Sequence, residues 1–219
     1  MSTQAVIPVK PMERALRRLS RVLSPAERRA LQAAMLTDLL DACAACPGLA
    51  GTLVVTSDTE AAALAAERRM AVLPDHDPPK GINAAVAIGR ADAARRGMRA
   101  LVLTADLPLT RPEDLAAILA AAPAAPGAVL VPSRDGTGTN ALLLDPPGAF
   151  PTRLGRDSRA LAAERRVALV ETALPRVALD VDTPADLALV ASGTLGWCRT
   201  TTVCARHGLA ERVAIGTPR

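Results

Sequence analysis

ALVLTADLPLT, residues 100–110, decides the fold. It opens on a continuously apolar run, as a strand buried on both faces requires. The run ends on Asp106, and Thr110-Arg111-Pro112-Glu113 then reads as a capping box that opens a helix to about residue 122. An apolar strand that stops on a carboxylate and feeds a helix is one unit of an α/β sheet. Such sheets bind ligands beyond the carboxyl ends of their strands.

The pattern repeats on either side. Short apolar runs at 5–9, 52–56, 70–73, 128–132, 141–144 and 167–172 read as strands, and VALDV at 177–181 as one more. Helical stretches separate most of them. Ser24-Pro25-Ala26-Glu27 combines an N-cap serine, a proline at N1 and a capping-box glutamate, and apolar Leu31, Met35, Leu39 and Ala42 follow at helical spacing. Residues 58–69, 82–96 and 157–165 are helical, and Thr183-Pro184-Ala185-Asp186 caps a helix to about residue 191. The alternation predicts a three-layer α/β sandwich, a mostly parallel mixed sheet with helices on both faces. Residues 1–191 read as one domain and 192–219 as a tail or extension. The tail fits a docked hairpin or an oligomer contact, with Trp197 making a second copy a candidate partner.

Composition narrows the function. The chain has 219 residues, 50% hydrophobic and 22% charged, enough to bury a core without disulfides or metal. No apolar run nears the roughly 20 residues that span a bilayer. MSTQAVIPVK lacks the basic and apolar regions of a secretory signal, so a cytoplasmic protein without a membrane partner is expected. Trp197 and Phe150 are the only large rings, which argues against the stacking platforms of single-stranded nucleic-acid binders. The net charge of +4 comes from arginines scattered along the chain. That suits a solvated surface and is compatible with a site for polyanions. Cys43, Cys46, Cys198 and Cys204 read as idle thiols, because the CxxC pair lies inside a helical pattern and the second pair is loosely spaced.

Five places carry chemistry. Asp106 ends the strongest strand. Asp180 and Asp182 flank Val181 in DVDTP, and alternation puts both carboxylates on one side. Hard oxygen ligands of this kind suit Mg²⁺ with substrate phosphates, while Asp182 also suits capping of the next helix. Ser133-Arg134-Asp135-Gly136-Thr137-Gly138-Thr139-Asn140 offers glycines, hydroxyls and free N–H groups for an anion, or simply a hairpin turn. Leu154-Gly155-Arg156-Asp157-Ser158-Arg159 starts a helix flanked by arginines, a setting for an anion or a plain cap. Pro8-Val9-Lys10-Pro11, followed by Arg14, Arg17, Arg18 and Arg21, would face a triphosphate. The two histidines and the absence of a GxSxG elbow disfavour a Ser–His–Asp hydrolase, and the absence of GxGxxG disfavours a dinucleotide oxidoreductase.

VIPVKP, SPAERRAL, VVTSD, GINAA, TADLPLT, VPSRDGTGTNALLL and LDVDTPADL, in this order, resemble the 2-phospho-L-lactate guanylyltransferase (CofC-like) family over about residues 5–191. The resemblance implies a nucleotidyltransferase with a glycosyltransferase-A-like, nucleotide-diphospho-sugar-transferase-like sheet. It implies transfer of GMP from GTP to the phosphate of 2-phospholactate, phosphoenolpyruvate or 3-phosphoglycerate, with release of pyrophosphate, in deazaflavin coenzyme synthesis. By the same resemblance Asp106 and Asp182 hold Mg²⁺; Pro8, Val9, Lys10, Gly81, Asn83 and Asp106 meet the nucleotide; Thr139, Gly155 and Ser158 hold the phosphorylated acid. Lys10 and Arg18 would stabilise the leaving group.

Two departures stand out. The family's AKSRL or AKTRL is Ala15-Leu16-Arg17-Arg18-Leu19 here, with Leu16 in place of the lysine. Its FGPGSF is LGRDSR at 154–159. A molybdopterin-type nucleotidyltransferase and a GTP-binding protein without turnover are the competing readings.

Overall fold

The computed structural model describes residues 1–76, 80–151, 154 and 158–215, with the backbone alone for 213–215. Seven strands form one sheet: β1 (Thr3–Val9), β2 (Gly51–Thr56), β3 (Ala71–Leu73), β4 (Arg99–Leu103), β5 (Gly127–Pro132), β6 (Thr139–Asp145) and β7 (Ala168–Glu171). Their order is β3-β2-β1-β4-β6-β5-β7. Only β6 runs against its neighbours β4 and β5; every other pairing is parallel. β1 and β4 lie at the centre, and all seven residues of β1 are buried.

The helices are α1 (Pro25–Ala45), α2 (Thr59–Glu67), α3 (Ile82–Arg95), α4 (Pro112–Ala120), α5 (Ser158–Glu164), α6 (Pro175–Ala178), α7 (Pro184–Ala191), α8 (Arg199–Arg206) and α9 (Leu209–Ile215). Strand alternation sorts the core into two layers. Ala5, Ile7 and Val9 of β1, with Leu101 and Leu103 of β4, pack under α1, α2 and α4. Val6, Ala100 and Val102 face the other way, toward α3, α5 and Phe150. The sandwich therefore has the three layers expected of continuously apolar strands. A Cβ at Gly89 of α3 would stand 2.2 Å from Val6 Cγ1, so α3 reaches β1 this closely only through glycine.

Local chemistry sets the helix ends. Ser24 and Glu27 form the expected capping box of α1, with Glu27 N–H to Ser24 Oγ at 3.3 Å and Ser24 N–H to Glu27 Oε2 at 2.8 Å. At α4 the cap lies one residue later than expected. Pro112 takes N1, so Arg111 is the N-cap, and its N–H donates to Asp114 Oδ2 at 2.9 Å. Thr110 is buried instead.

VALDV at 177–181 is not a strand. Pro175 starts the single turn α6, which ends at Ala178, and an extended link carries residues 179–183 to α7. The apolar alternation was real, but Val177 and Val181 fill two different core clusters. Tertiary contacts then outweigh strand propensity.

In the tail, α8 and α9 bring Cys204 and Leu209 into a third cluster with Leu31 and Met35 of α1 and Leu187 and Val190 of α7. Trp197 is 73% exposed. Burial pushes the Cys43 thiol up to about 12, which leaves it a packed, unreactive side chain. No helix among the described residues is long and apolar enough to cross a membrane.

Candidate active site

The carboxyl ends of β1 and β4 open into a two-part cleft. One part, of about 370 Å³, lies at the exit of β1 and is walled by Lys10, Arg14, Arg17 and Arg18. A smaller annex of about 120 Å³ continues it between Pro8, Val9, Gly81, Ile82 and Ala85, with Asp75 also lining it. The other part, of about 650 Å³, lies over the start of β6 and carries Asp135, Thr137, Thr139, Asp180 and Asp186. Arg18, Ile82, Thr104, Asp106 and Asp182 line both main parts. The two aspartates therefore stand where the halves meet.

Asp106 leaves the sheet three residues beyond the end of β4. Its Oδ1 is buried and hydrogen bonds to nothing among the described residues. Burial pushes this carboxyl up to about 6, and the neighbouring charges of Asp180 and Asp182 push the same way. A buried, unpartnered carboxylate oxygen facing two further carboxylates is a site that lacks positive charge. Arg18 supplies part of it, its Nη1 donating to Asp182 Oδ2 at 2.5 Å.

No group of three or more His, Cys, Asp or Glu side chains among the described residues is arranged to hold a metal unaided. Two carboxylates with only oxygen donors do fit Mg²⁺, which ordinarily takes one or two carboxylates and completes its shell with water and substrate phosphates. Thr183 caps α7, with Asp186 N–H to Thr183 Oγ1 at 3.3 Å and Thr183 N–H to Asp186 Oδ2 at 2.9 Å. The cap is thus made without Asp182, which stays in the cleft.

On the β1 side, Lys10 and Arg17 have no ion-pair partner among the described residues, so their charge is open to the cleft. Arg21 does not line it. Leu16, at the family's lysine position, is 8% exposed and packs with Leu19, Leu23 and Val181, its backbone left-handed at φ 52°. Leu16 also lines the cleft, together with Arg17 and Arg18, which follow it. Gly81, at φ 96°, begins α3 beside the annex, a backbone that favours glycine. Asn83 does not line the annex; its Oδ1 accepts from Leu154 N–H at 2.9 Å and ties α3 to Leu154, which lines the other half.

On the β6 side, the 133–138 loop is a hairpin whose polar groups are turned inward. Gly136 N–H donates to Ser133 O, Thr137 N–H to Asp135 Oδ1 and Gly138 N–H to Ser133 Oγ, at 2.8, 2.9 and 2.7 Å. The expected cradle of free N–H groups is therefore absent there, because the loop closes on itself. Thr139 lines the cleft, and its Oγ1 lies 3.1 Å from Ser158 Oγ. Ser158 is 1% exposed and stands behind it. Arg159 is drawn away by Glu171, which accepts from Nε at 2.6 Å and Nη2 at 2.8 Å. Gly155, Arg156 and Asp157 lie outside the described residues.

The chain has known relatives. Residues 3–192 match the family model described as "Guanylyl transferase CofC like". The chain belongs to the CofC-like guanylyl transferase family. Two proteins similar to this guanylyltransferase carry the name phosphoenolpyruvate guanylyltransferase. The one from Conexibacter woesei is 42% identical over 193 residues, covering 85% of this chain and 86% of its own. The one from Rubrobacter xylanophilus is 43% identical over 199 residues, covering 88% and 96%. The crystal structure of a putative nucleotide-diphospho-sugar transferase from Desulfovibrio desulfuricans shares the fold, with a TM-score of 0.75 over 97% of this chain and 99% of that one, at 15% identity. The CofC-like protein is thus an enzyme, a nucleotidyltransferase on an α/β sandwich.

Two residues of the site have roles that the sequence motifs do not give. Asp75 follows a three-residue strand in a turn-rich stretch. Asn140 belongs to the GTGTN segment, but its role depends on residues 37 to 40 positions away.

Proposed function

We propose that this enzyme transfers GMP from GTP to the phosphate of phosphoenolpyruvate and releases pyrophosphate. The observation that carries the reading is the junction: a cationic half and an acidic, hydroxyl-lined half meet at Asp106 and Asp182. The names of the two relatives favour phosphoenolpyruvate over 2-phospholactate and 3-phosphoglycerate.

The attacking group is a substrate phosphate oxygen, already ionised at neutral pH, so no histidine or serine is needed to activate it. It forms a new bond to the α-phosphorus of GTP as the bond to the β-phosphate oxygen breaks, and pyrophosphate leaves with the electron pair. Catalysis is then positioning and charge neutralisation. Lys10, Arg14, Arg17 and Arg18 face the triphosphate, with Lys10 and Arg18 set to offset charge on the leaving pyrophosphate. Pro8, Val9 and Gly81 wall the base, and the Asp75 carboxylate accepts from the guanine N1–H and amino group. Thr139, with Ser158 behind it, orients the acid. Asp106 and Asp182 would hold Mg²⁺, which when bound neutralises phosphate charge.

Lys10, Arg14, Arg17 and Arg18 line this half although Leu16 stands at the family's lysine position, which favours turnover over nucleotide binding alone. The guanylylated acid would serve coenzyme synthesis as a phosphoanhydride-activated precursor.

Pyrophosphate release with GTP, Mg²⁺ and each of the three phospho-acids, with ATP and CTP as controls, tests the reading. Release with GTP and phosphoenolpyruvate is expected. Release with another acid only would overturn the acceptor, and none with any acid would overturn the transfer.

A further inference from the structure

Asp182 does its work from a link that belongs to neither the sheet nor a helix, so something must fix it. The link follows α6, a single turn whose terminal carbonyls have no intrahelical donors. Asn140, 3% exposed on β6, faces it. Its Nδ2 donates to Val177 O and Ala178 O, each at 3.0 Å, and to Asp180 Oδ1 at 3.1 Å. Its main-chain oxygen accepts from Thr104 N–H at 3.1 Å, two residues before Asp106. One residue thus ties the end of β4 and the link to the same strand. Two further bonds complete the frame: Arg134 N–H to Ala178 O at 2.8 Å and Val181 N–H to Asp106 O at 3.1 Å. Val181 is buried, which turns Asp180 and Asp182 together into the cleft.

We propose that Asn140 is a positioning residue: its side-chain amide pins residues 177–182 to β6 and so holds Asp182 across the cleft from Asp106. The inference rests on the reading of those two aspartates as the cation site. The chemistry asks for an amide. Two carbonyls and a carboxylate all accept, so the residue facing them must donate in more than one direction without adding negative charge. Alanine leaves all three acceptors without this donor. Aspartate, of the same shape, opposes them. Threonine keeps β propensity and one donor.

The test uses Mn²⁺ alone as the probe, its binding to the nucleotide-free enzyme read by water-proton relaxation enhancement. GTP binding in EDTA is measured in parallel by equilibrium dialysis. Asn140→Ala is expected to weaken Mn²⁺ by about 10- to 100-fold, the usual effect of losing a group that orients a metal ligand. Asn140→Thr should fall between alanine and the wild type, and GTP binding without metal should be unchanged in both. Mn²⁺ affinity equal to wild type in folded variants would overturn the proposal. So would a parallel loss of Mn²⁺ and GTP binding, which marks a purely structural residue. If the alanine variant does not fold, the threonine variant decides by the same two readouts. Failure of the wild type itself to bind Mn²⁺ would overturn the cation site on which the proposal rests, an outcome distinct from the others.

Discussion

At the exit of β1 the cleft is walled by long cationic side chains, two of them unpaired among the described residues and reaching into solvent. At the start of β6 it is walled mostly by short acidic and hydroxyl groups whose positions are fixed by hydrogen bonds, with Arg134, paired to Asp186, and Arg18 beside them. Arg18 is 71% exposed at its side chain, while Thr139 and Asn140 are 5% and 3% exposed. The contrast matches what each half would receive. A triphosphate is large and highly charged, and mobile cations can follow it as it moves from substrate to leaving group. A small phospho-acid is distinguished from its relatives by single groups, and only a rigid wall discriminates at that scale.

Variants at the junction should break both halves at once. Asp106→Asn keeps the shape of the side chain and removes its charge. It is expected to lower kcat by at least about 100-fold, because charge neutralisation at the reacting phosphates is lost. The fold should be kept, since Oδ1 makes no hydrogen bond to lose. Pyrophosphate release and circular dichroism check the two statements.

Asp75→Asn should sharpen the nucleotide half. Its oxygen still accepts from the guanine N1–H but its NH2 would meet the 2-amino group, so GTP use should fall about 10-fold, the scale of a lost hydrogen bond to a charged group. XTP, which keeps the N1–H and presents a 2-oxo acceptor in place of the amino group, should gain. Competition between GTP and XTP in one reaction reads the exchange.

A third substitution should touch neither half. Arg212 of α9 donates to Glu27 at the start of α1. With Ser24 N–H, it holds the Glu27 carboxyl down at about 2, against an ordinary 4.5. A lowered carboxylate stabilises the fold fully above its unfolded value and progressively less as the pH falls from 4.5 toward 2. Arg212→Ala should therefore lower Tm slightly near neutrality and flatten its decline in that acid window, with kinetic constants unchanged. Thermal melts over a pH series check it.

The fold was largely legible because buried parallel strands must be continuously apolar, and capping boxes such as Ser24–Glu27 and Thr183–Asp186 are local. VALDV misled because its alternation satisfies a strand equally well. What decides against one is long-range: Arg134, Asn140 and Asp106 take up its hydrogen-bonding groups, and only the folded chain brings them there. Asp106 and the cations after β1 stand at strand exits, where the sequence put them, whereas Asp182 reaches the cleft from the link after α6 and not from a strand end. The inward-turned hairpin was not, since its glycines and hydroxyls serve an anion cradle and a self-closed turn alike. Asn140 was not, because a buried amide takes its meaning from acceptors nearly forty residues away.

The division of labour between the halves is tested most directly by one initial-rate matrix, with GTP and phosphoenolpyruvate both varied, for the wild type, Arg17→Ala and Thr139→Val. The account predicts crossed effects. Arg17→Ala raises KM for GTP, more at low salt than at high, and leaves KM for phosphoenolpyruvate in place; Thr139→Val does the reverse. Both variants shifting the same Michaelis constant, or each shifting the other's, would contradict it.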